Sequence, residues 1–235
     1  MLNALISELE PTYRAWCQGQ ECCDAEWEAA YARFETPEEE IEKFTKRLKQ
    51  LGAFGWPRSL KIVELCCGRG NGLKALEQLG FADLEGIDLA GSLLEQYQGS
   101  ARLYQGDCRD LKFPDSSRDV VIVQGGLHHL PELPDDLDRT LAEIRRVLVP
   151  QGKFVLVEPW LTSFLRLVHF AAKKSWVRRL HPKVDALQMM IEREQTTYDQ
   201  WLSQPGPILK LLHDNFTTEK QTIRWGKLMY VGMKK

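Results

Sequence analysis

The chain has 235 residues, which suits a single large α/β domain. Its 31 basic and 33 acidic residues give a formal net charge of −2, so the composition does not favour a nucleic-acid-binding protein. Six cysteines in a chain of this length do not make a disulfide framework. There is no apolar run long enough to span a bilayer and no basic-then-apolar leader, so we expect a cytoplasmic protein without a membrane span.

The first segment, residues 1–57, has a helical pattern with interruptions at Pro11 and around Cys22. Its clearest helix begins at Thr36, which is a preferred N-cap residue. Glu39 stands three positions later, as in a capping box. We therefore expect a helical N-terminal cap over residues 1–57.

Residues 58–159 alternate between short apolar runs and amphipathic segments, which predicts a parallel sheet with crossover helices. The apolar run Ile62–Leu65 leads into a glycine-rich turn, and a helix closed by Gly80 follows. Glycines allow a backbone to approach a ligand closely, and the free N–H groups of a helix start attract a negative group. Ligands of such sheets bind at the carboxyl ends of the strands.

The next apolar run ends in Asp88, roughly 20 residues after the glycines, where a carboxylate meets a ribose in nucleotide-binding folds. A dinucleotide fingerprint also requires glycines at the first, third and sixth positions of the turn. Counting from Gly68, the sixth position is Leu73, so this fingerprint is absent. The expected ligand is a nucleoside without a pyrophosphate.

After the sheet region, residues 160–216 are again helical in pattern, and residues 217–235 predict a terminal hairpin that turns near 225–227. The segment 160–204 is the expected substrate-specific insertion. Its composition allows either a lid for an apolar body with an acidic group or an amphipathic helix with a solvated charged end. It contains an apolar set (Leu161, Phe164, Leu165, Val168, Phe170) and a basic set (Lys173, Lys174, Arg178, Arg179, His181).

These signals together resemble the class I S-adenosylmethionine-dependent methyltransferases, in the branch that acts on small molecules and quinone precursors. The resemblance covers roughly residues 58–159 and the final two strands. The first motif of that family usually reads V-L-D-L-G-C-G-T-G, and Cys66 stands where its first glycine is expected. The similar segments are 63–70, 87–88, 106–108, 113–121, 127–130 and 143–153.

The resemblance implies an α/β, Rossmann-like, doubly wound and mostly parallel sheet of seven strands. Its last strand lies antiparallel beside the fifth, with N-terminal helices and a helical insertion before the final two strands. The implied activity is methyl transfer from S-adenosyl-L-methionine to an oxygen, nitrogen or carbon nucleophile of a small molecule. Two alternatives stay open, namely a nicotinamide-dependent oxidoreductase and a non-catalytic methyltransferase-like partner subunit. A homodimer is also left open.

The resemblance also assigns roles to individual residues. Asp88 would hold the ribose and Asp107 the adenine amino group. Glu64 would either orient the glycine turn or receive the amino group of the cofactor, and Arg69 would pair with its carboxylate or point to solvent. The full expected cofactor set is Glu64, Cys66, Gly68, Arg69, Gly70, Asp88, Leu89, Asp107, Cys108, Gln124 and Gly125.

Two histidines after the fourth predicted strand, His128 and His129, are the candidate catalytic bases because histidine titrates near neutral pH. We prefer His129, and the alternative is that both form the pocket wall. Trp27 and Tyr31 lie one helical turn apart, as either a lid or ordinary packing.

No catalytic metal is expected for this reaction. Cys17, Cys22 and Cys23 are closely spaced thiols, but no CxxC pair or nearby histidine completes a zinc site. We therefore prefer to interpret them as reduced thiols, and the alternative is a trio that binds a soft metal or arsenic.

Overall fold

The computed structural model of the chain describes residues 13–19 and 24–235, so Pro11, Cys22 and Cys23 lie outside the described residues. The strands are β1 (Arg14–Ala15), β2 (Ile62–Leu65), β3 (Leu84–Asp88), β4 (Arg102–Gln105), β5 (Arg118–Gln124), β6 (Leu148–Pro159), β7 (Phe216–Arg224) and β8 (Lys227–Lys234). The helices are α1 (Ala25–Phe34), α2 (Pro37–Gln50), α3 (Asn71–Gln78), α4 (Gly91–Leu94), α5 (Asp135–Val147), α6 (Ser163–Ala172), α7 (Ser175–Leu180), α8 (Pro182–Arg193), α9 (Gln195–Ser203) and α10 (Pro205–Asn215).

The described strands form one sheet in the order β1-β4-β3-β2-β5-β6-β8-β7. Strands β1 to β6 pair in parallel, whereas β8 runs antiparallel to both β6 and β7. The doubly wound fold is confirmed, including a last strand inserted antiparallel beside the fifth predicted strand. The carboxyl ends of β2, β3 and β5 therefore lie side by side at one edge of the sheet.

The additional eighth strand is a difference from the sequence prediction. A helical pattern was expected near residue 14, but Arg14 and Ala15 extend the sheet edge by pairing with Tyr104 and Gln105. The adjoining Trp16 stacks on Tyr104 with a ring-centroid distance of 4.4 Å. Pairing with an edge strand satisfies backbone groups that a helix would otherwise satisfy locally, and the aromatic contact holds the segment there.

Helices cover both faces of the sheet because the side chains of each central strand alternate between two cores. On one face, Val63 and Leu65 of β2 pack with apolar residues of α5, α9 and α10. On the opposite face, Ile62 packs with residues of α2, α3 and α4. Among the described residues, Trp201 and Tyr230 are the largest fully buried side chains.

The N-terminal cap follows the local signals in the sequence. Thr36 accepts a hydrogen bond from the backbone N–H of Glu39, and the Glu39 side chain accepts from the backbone N–H of Thr36. This reciprocal capping box starts α2, which buries Phe44 and Leu48 against the core. The predicted helix start is therefore confirmed.

The segment from α6 to α10 separates the parallel part of the sheet from the terminal hairpin. The hairpin turns at Trp225 and Gly226, with φ angles of 52° and 74°, as expected from the sequence. None of the described helices is both long and apolar enough to cross a membrane.

Candidate functional site

The glycine turn after β2 uses left-handed backbone geometry at three positions. Gly68 and Gly70 have φ angles of 51° and 73°, where glycine has no Cβ penalty. Cys66 also has a positive φ of 53°, which is uncommon for a residue with a side chain. A Cβ on Gly126 would lie 2.3 Å from the Cβ of Cys66, so the absent side chain of Gly126 makes room for the cysteine.

Asp88 connects the glycine turn to the end of β3. Its carboxylate accepts hydrogen bonds from the backbone N–H of Gly68 at 2.7 Å and of Ala90 at 2.9 Å. The residue is only 8% exposed. A carboxylate has about four acceptor positions. The predicted ribose contact stays a prediction.

Two adjoining cavities open at the carboxyl edge of the sheet, with volumes of about 130 and about 90 Å³. Cys66, Asp88, Gly126 and His129 line both of them. From the predicted cofactor set, the first cavity also contains Glu64, Gly68, Arg69, Gln124 and Gly125, and the second contains Leu89, Asp107 and Cys108.

The remaining member of the predicted set, Gly70, is not part of either lining. It is the N-cap of α3, and a Cβ there would come within 2.3 Å of the Tyr97 ring. The structure therefore places Gly70 where it permits helix α3 to begin and pack closely.

Three side-chain polar atoms of the first cavity lining are buried and have no hydrogen-bond partner among the described residues, namely Oε2 of Glu64, Oε1 of Gln124 and Nε of Arg69. Glu64 is 3% exposed, and burial raises its pKa to about 8. The other Glu64 oxygen accepts from the Gln124 amide at 3.4 Å. Since unpaired buried polar groups cost free energy, such a cluster is typical of a ligand site. The acceptor atoms of Glu64 and Gln124 suit the ammonium of an amino acid group, and the cationic donor Arg69 suits its carboxylate.

Arg69 is tied to the cap as well as to the turn. Its guanidinium forms an ion pair with Glu28 of α1 and lies 5.6 Å from the Tyr31 ring centroid. The Trp27 and Tyr31 rings stack at 5.0 Å, and both line the first cavity. Helix α1 thus contributes two stacked aromatic side chains to the cavity lining, and their role as a lid stays a prediction.

Asp107 in the second cavity is engaged by a residue that the sequence analysis did not single out. The Arg109 side chain donates to both carboxylate oxygens of Asp107 at 2.7–3.0 Å and pairs with Asp136 at 3.0 Å. Burial favours a higher pKa for Asp107, but the hydrogen bonds and the positive charge of Arg109 outweigh burial and lower this pKa below its usual value. Contact with an adenine amino group stays a prediction.

The two cysteines of the second cavity are reduced thiols. Hydrogen bonding to Cys108 and burial raise the pKa of the Cys66 thiol well above its usual value. A neutral thiol is a poor nucleophile, so Cys66 acts here as a small apolar group.

Glu158, at the end of β6, organises the turn that carries the histidines. It is 1% exposed and accepts from the backbone N–H groups of Gly126 and Leu127 at 2.9 and 2.7 Å. Its second oxygen lies 2.7 Å from Nδ1 of His128. Burial alone would lower the pKa of His128, but the Glu158 carboxylate outweighs that effect and raises it. His128 is therefore held behind the cavity wall.

His129 reaches the junction of the two cavities. Burial and the neighbouring His128 lower its pKa well below the usual histidine value, so His129 is neutral near pH 7. Its Nε2 lies 3.6 Å from an oxygen of Glu194. That same oxygen accepts from the Trp27 indole at 3.1 Å, and burial raises the pKa of Glu194.

Glu194 was missed by the sequence analysis because it follows α8, far along the chain from the motifs. The ligand atoms of His128, His129 and Glu194 all lie within 4.8 Å of one another, a spacing that could hold a divalent metal ion. Glu158 on the other ring nitrogen of His128 has the position of the outer partner of a metal-bound histidine. The expectation of a site without a catalytic metal stays a prediction.

A wider cleft of about 840 Å³ separates α2 from the terminal hairpin. It contains Lys227, which pairs across the strands with Pro159, the residue after Glu158. Although Lys227 is exposed along the cleft, the surrounding protein and the charges of Arg47 and Lys43 lower its pKa to about 7.

Comparison with known proteins gives a family for the central part of the chain. Residues 63–156 match the family described as a methyltransferase domain. A demethylmenaquinone methyltransferase of Lactobacillus johnsonii is 34% identical over 129 residues, covering 50% of this chain and 48% of the relative. The corresponding protein of Staphylococcus aureus is 30% identical over 120 residues and 48% of each chain. The chain thus spans about half the length of the curated relatives it matches.

Solved structures agree in fold over a larger part of the chain. The PH0226 protein of Pyrococcus horikoshii has a TM-score of 0.68 at 20% identity, covering 90% of this chain and 100% of that one. A putative S-adenosyl-L-methionine-dependent methyltransferase of Methanococcus maripaludis has a TM-score of 0.58 at 14% identity, covering 92% and 95%. At these identities the likeness establishes the fold alone.

The cofactor implied by the family is S-adenosyl-L-methionine, and the cavity residues fit it. The unpaired atoms of Glu64, Gln124 and Arg69 suit its charged amino acid group, and the carboxylate of Asp88 at the end of β3 suits its ribose. The matched domain, the doubly wound fold and this donor set agree with one another. Residues 63–156 of this chain thus match a methyltransferase domain set in a doubly wound α/β fold.

Proposed function

We propose that this chain transfers a methyl group from S-adenosyl-L-methionine to a nucleophilic oxygen, nitrogen or carbon atom of a small molecule. The observation that carries the proposal is the position of His129 in the same cavity as the unpaired polar atoms of Glu64 and Gln124. When bound, the cofactor supplies an electrophilic methyl group on a sulfonium centre. The protein then has to bind the two reactants, align them with each other and exclude water from them.

Different residues of the first cavity bind the cofactor and exclude water. Glu64 and Gln124 offer acceptors to an ammonium group, and Arg69 offers a cation to a carboxylate. The stacked pair Trp27 and Tyr31 shields the cavity from water on the side of α1. Alignment of two reactants contributes on the order of 7–11 kcal/mol to such a reaction.

His129 is the base that we propose for an acceptor that must lose a proton. It is neutral near pH 7, so its ring can accept a proton without first losing one. The Glu194 carboxylate at 3.6 Å would stabilise the resulting imidazolium. Glu158 holds His128 on the other side of the turn, which supports His128 as a positioning residue rather than the base.

The names of the curated relatives make a demethylated quinone the first acceptor to test. Because the matched region is about half of each relative, a wider set of phenols, amines and carbon acids belongs in the same assay. Neither a nicotinamide oxidoreductase nor a non-catalytic subunit is favoured, because the cavity presents an amino acid site and a candidate base together.

The direct test is calorimetry with S-adenosyl-L-methionine and with its demethylated product, followed by turnover with the acceptor set. Both sulfur nucleosides should bind, whereas NADH should not. Asp88→Asn should weaken binding by roughly tenfold or more, because a carboxylate accepts stronger hydrogen bonds than an amide. Binding of NADH, or of neither sulfur nucleoside, would contradict the proposal.

A further inference from the structure

The segment 161–180 carries an unusual concentration of exposed apolar side chains. Among the described residues, nine large apolar side chains are exposed. Eight of them lie in this segment or at the adjacent hairpin turn. The six in the segment are Leu161, Phe164, Leu167, Phe170, Trp176 and Leu180, and Leu167, Phe170, Trp176 and Leu180 are each more than 60% exposed. We call this set the apolar face.

The exposure does not arise because α6 is detached from the protein. Its inner side is anchored, since Ala172 is fully buried and Leu165 packs against the main core. His169 also lies 3.2 Å from the Tyr198 hydroxyl. Helix α6 is therefore apolar on its inner and outer sides. Phe164 and Phe170 of the predicted apolar set lie on the outer side, and the choice between a lid and an amphipathic helix with a solvated charged end stays open.

The hairpin extends the apolar face beyond the helices. Trp225 is 62% exposed, and its ring meets Phe164 edge-on with a centroid distance of 5.3 Å. Large contiguous apolar patches are rare on the surface of soluble monomers and mark interaction sites.

Positive charge surrounds the same face. Residues 160–184 contain six lysines and arginines but no aspartate or glutamate. Of these cations, Arg166, Lys173, Lys174 and Arg179 form no ion pair with any residue that the structure describes. The Lys174 ammonium lies 4.7 Å from the Phe170 ring centroid, so the cationic and apolar groups are interleaved. An open groove beside α7 is lined by Lys173, Ser175, Arg178, Arg179 and Asp185, and Asp185 is paired with Arg178 at 2.7 Å.

We propose that the apolar face and its cations dock on the surface of a bilayer that contains anionic phospholipid. Exposed aromatic and aliphatic side chains would enter the boundary between headgroups and acyl chains, with lysine and arginine at the phosphate level. A nucleic acid would satisfy the cations but leave the apolar side chains exposed to water. A second copy of the chain would bring the unpaired cations together, which is unfavourable.

Docking at this place would put the candidate site beside the bilayer. Helix α6 begins four residues after Pro159, at the carboxyl edge of the sheet where both cavities open. The Tyr198 ring that contacts His169 of α6 also lies 6.0 Å from the His128 ring. The docking proposal does not depend on the proposed methyl transfer.

The experiment is sedimentation of the full chain with vesicles of phosphatidylcholine alone or with 30% phosphatidylglycerol, a composition of about one anionic lipid in three. The protein should partition to the anionic vesicles and detach as salt is raised. Replacing Lys173 and Lys174 together by glutamine should weaken partitioning roughly 30-fold, since each cation contributes roughly fivefold. Phe170→Ser should weaken it roughly tenfold or more.

The matched control is Phe54→Ser, because Phe54 is 47% exposed but lies outside the apolar face. It should bind vesicles as the unchanged protein does. Lipids with brominated acyl chains should quench the tryptophan fluorescence, and Trp176→Phe should reduce that quenching while binding persists. Equal loss in Phe54→Ser and Phe170→Ser would overturn the assignment.

Three further results would also overturn the proposal. One is the absence of vesicle binding at low salt by the folded protein, judged by circular dichroism. Another is equal binding to neutral and anionic vesicles. The third is a concentration-dependent dimer in sedimentation velocity that Phe170→Ser abolishes, which would assign the apolar face to self-association. Calorimetry with the sulfur nucleosides is independent of all three results, so failure here leaves the proposed function standing.

Discussion

Glu64 gives a quantitative test of how the cofactor is held. Burial raises its pKa to about 8, and its Oε2 atom is buried without a partner. If this carboxylate receives an ammonium group, it must be ionised in the complex. Binding of S-adenosyl-L-methionine should therefore release a proton from Glu64 near neutral pH.

The magnitude follows from the same pKa. With a value of about 8, about one Glu64 carboxyl in a hundred is ionised at pH 6 and about one in ten at pH 7. The amino group of the ligand stays mostly protonated over this range, since α-amino groups titrate near pH 8. Affinity should thus rise about tenfold between pH 6 and pH 7, with about 0.9 proton released per ligand at pH 7.

Isothermal calorimetry in buffers of different ionisation enthalpy measures both the affinity and the proton release. Glu64→Gln should remove the proton release and flatten the pH dependence. The ligand control is 5′-methylthioadenosine, which lacks the amino acid group and should bind with little pH dependence. A flat affinity from pH 6 to pH 7 for the unchanged protein would refute the role of Glu64 as the ammonium acceptor.

The other predictions concern the histidine turn, the cleft and the metal. His129→Gln should lower turnover by roughly 10²–10⁴-fold, and the acid limb of the kcat/KM profile should lie below pH 6.5, because activity is lost as falling pH protonates His129. If the acid limb persists in His129→Gln, a group other than His129 causes it. Glu158→Ala should destabilise the fold by roughly 3 kcal/mol or more in urea unfolding, because two backbone N–H groups and His128 lose their buried partner. Acylation of Lys227 followed by mass spectrometry should have a midpoint near pH 7, since its pKa is lowered to about 7; a midpoint near 10 would contradict this. Treatment with a chelator should leave turnover unchanged, because an oxygen of Glu194 already accepts from Trp27; loss restored by a divalent ion would make His128, His129 and Glu194 a metal site.

The sequence was most informative where the chain obeys local rules. The capping box at Thr36 needs only neighbouring residues, and the structure forms it as expected. The turn at Trp225 and Gly226 likewise requires a left-handed backbone, which glycine supplies at its second position. Alternation of short apolar runs with helical segments was sufficient to predict the parallel sheet, because only crossover helices connect parallel neighbours over such distances.

The order of the sheet strands then made part of the site predictable. Once the ends of β2, β3 and β5 are known to share an edge, Glu64, Asp88 and Gln124 must lie near one another. The sequence could not show that Glu64 and Gln124 each keep a buried unpaired atom, because this depends on how their side chains pack.

Contacts between distant segments were decided by the tertiary structure alone. Glu194 reaches His129 because α9, which begins directly after Glu194, packs beside the turn Leu127–His129, and no local pattern in the sequence marks that approach. Arg109 donates a hydrogen bond to Asp107 and also pairs with Asp136 of α5, and no local pattern in the sequence marks this link between the two acids.

In helix α6, too, the sequence predicted the local structure but not which side chains are buried. The spacing of its apolar residues predicted an amphipathic helix, but the same spacing allows the core to take either side. Leu165 and Ala172 pack against the core, whereas Leu167 and Phe170 are exposed. The sequence by itself determined the α/β fold and the acid-free basic segment 160–184, and it predicted a nucleoside site at the strand ends. Only tertiary packing decided which apolar side chains that segment turns outward, because burial depends on neighbours that are distant in the chain.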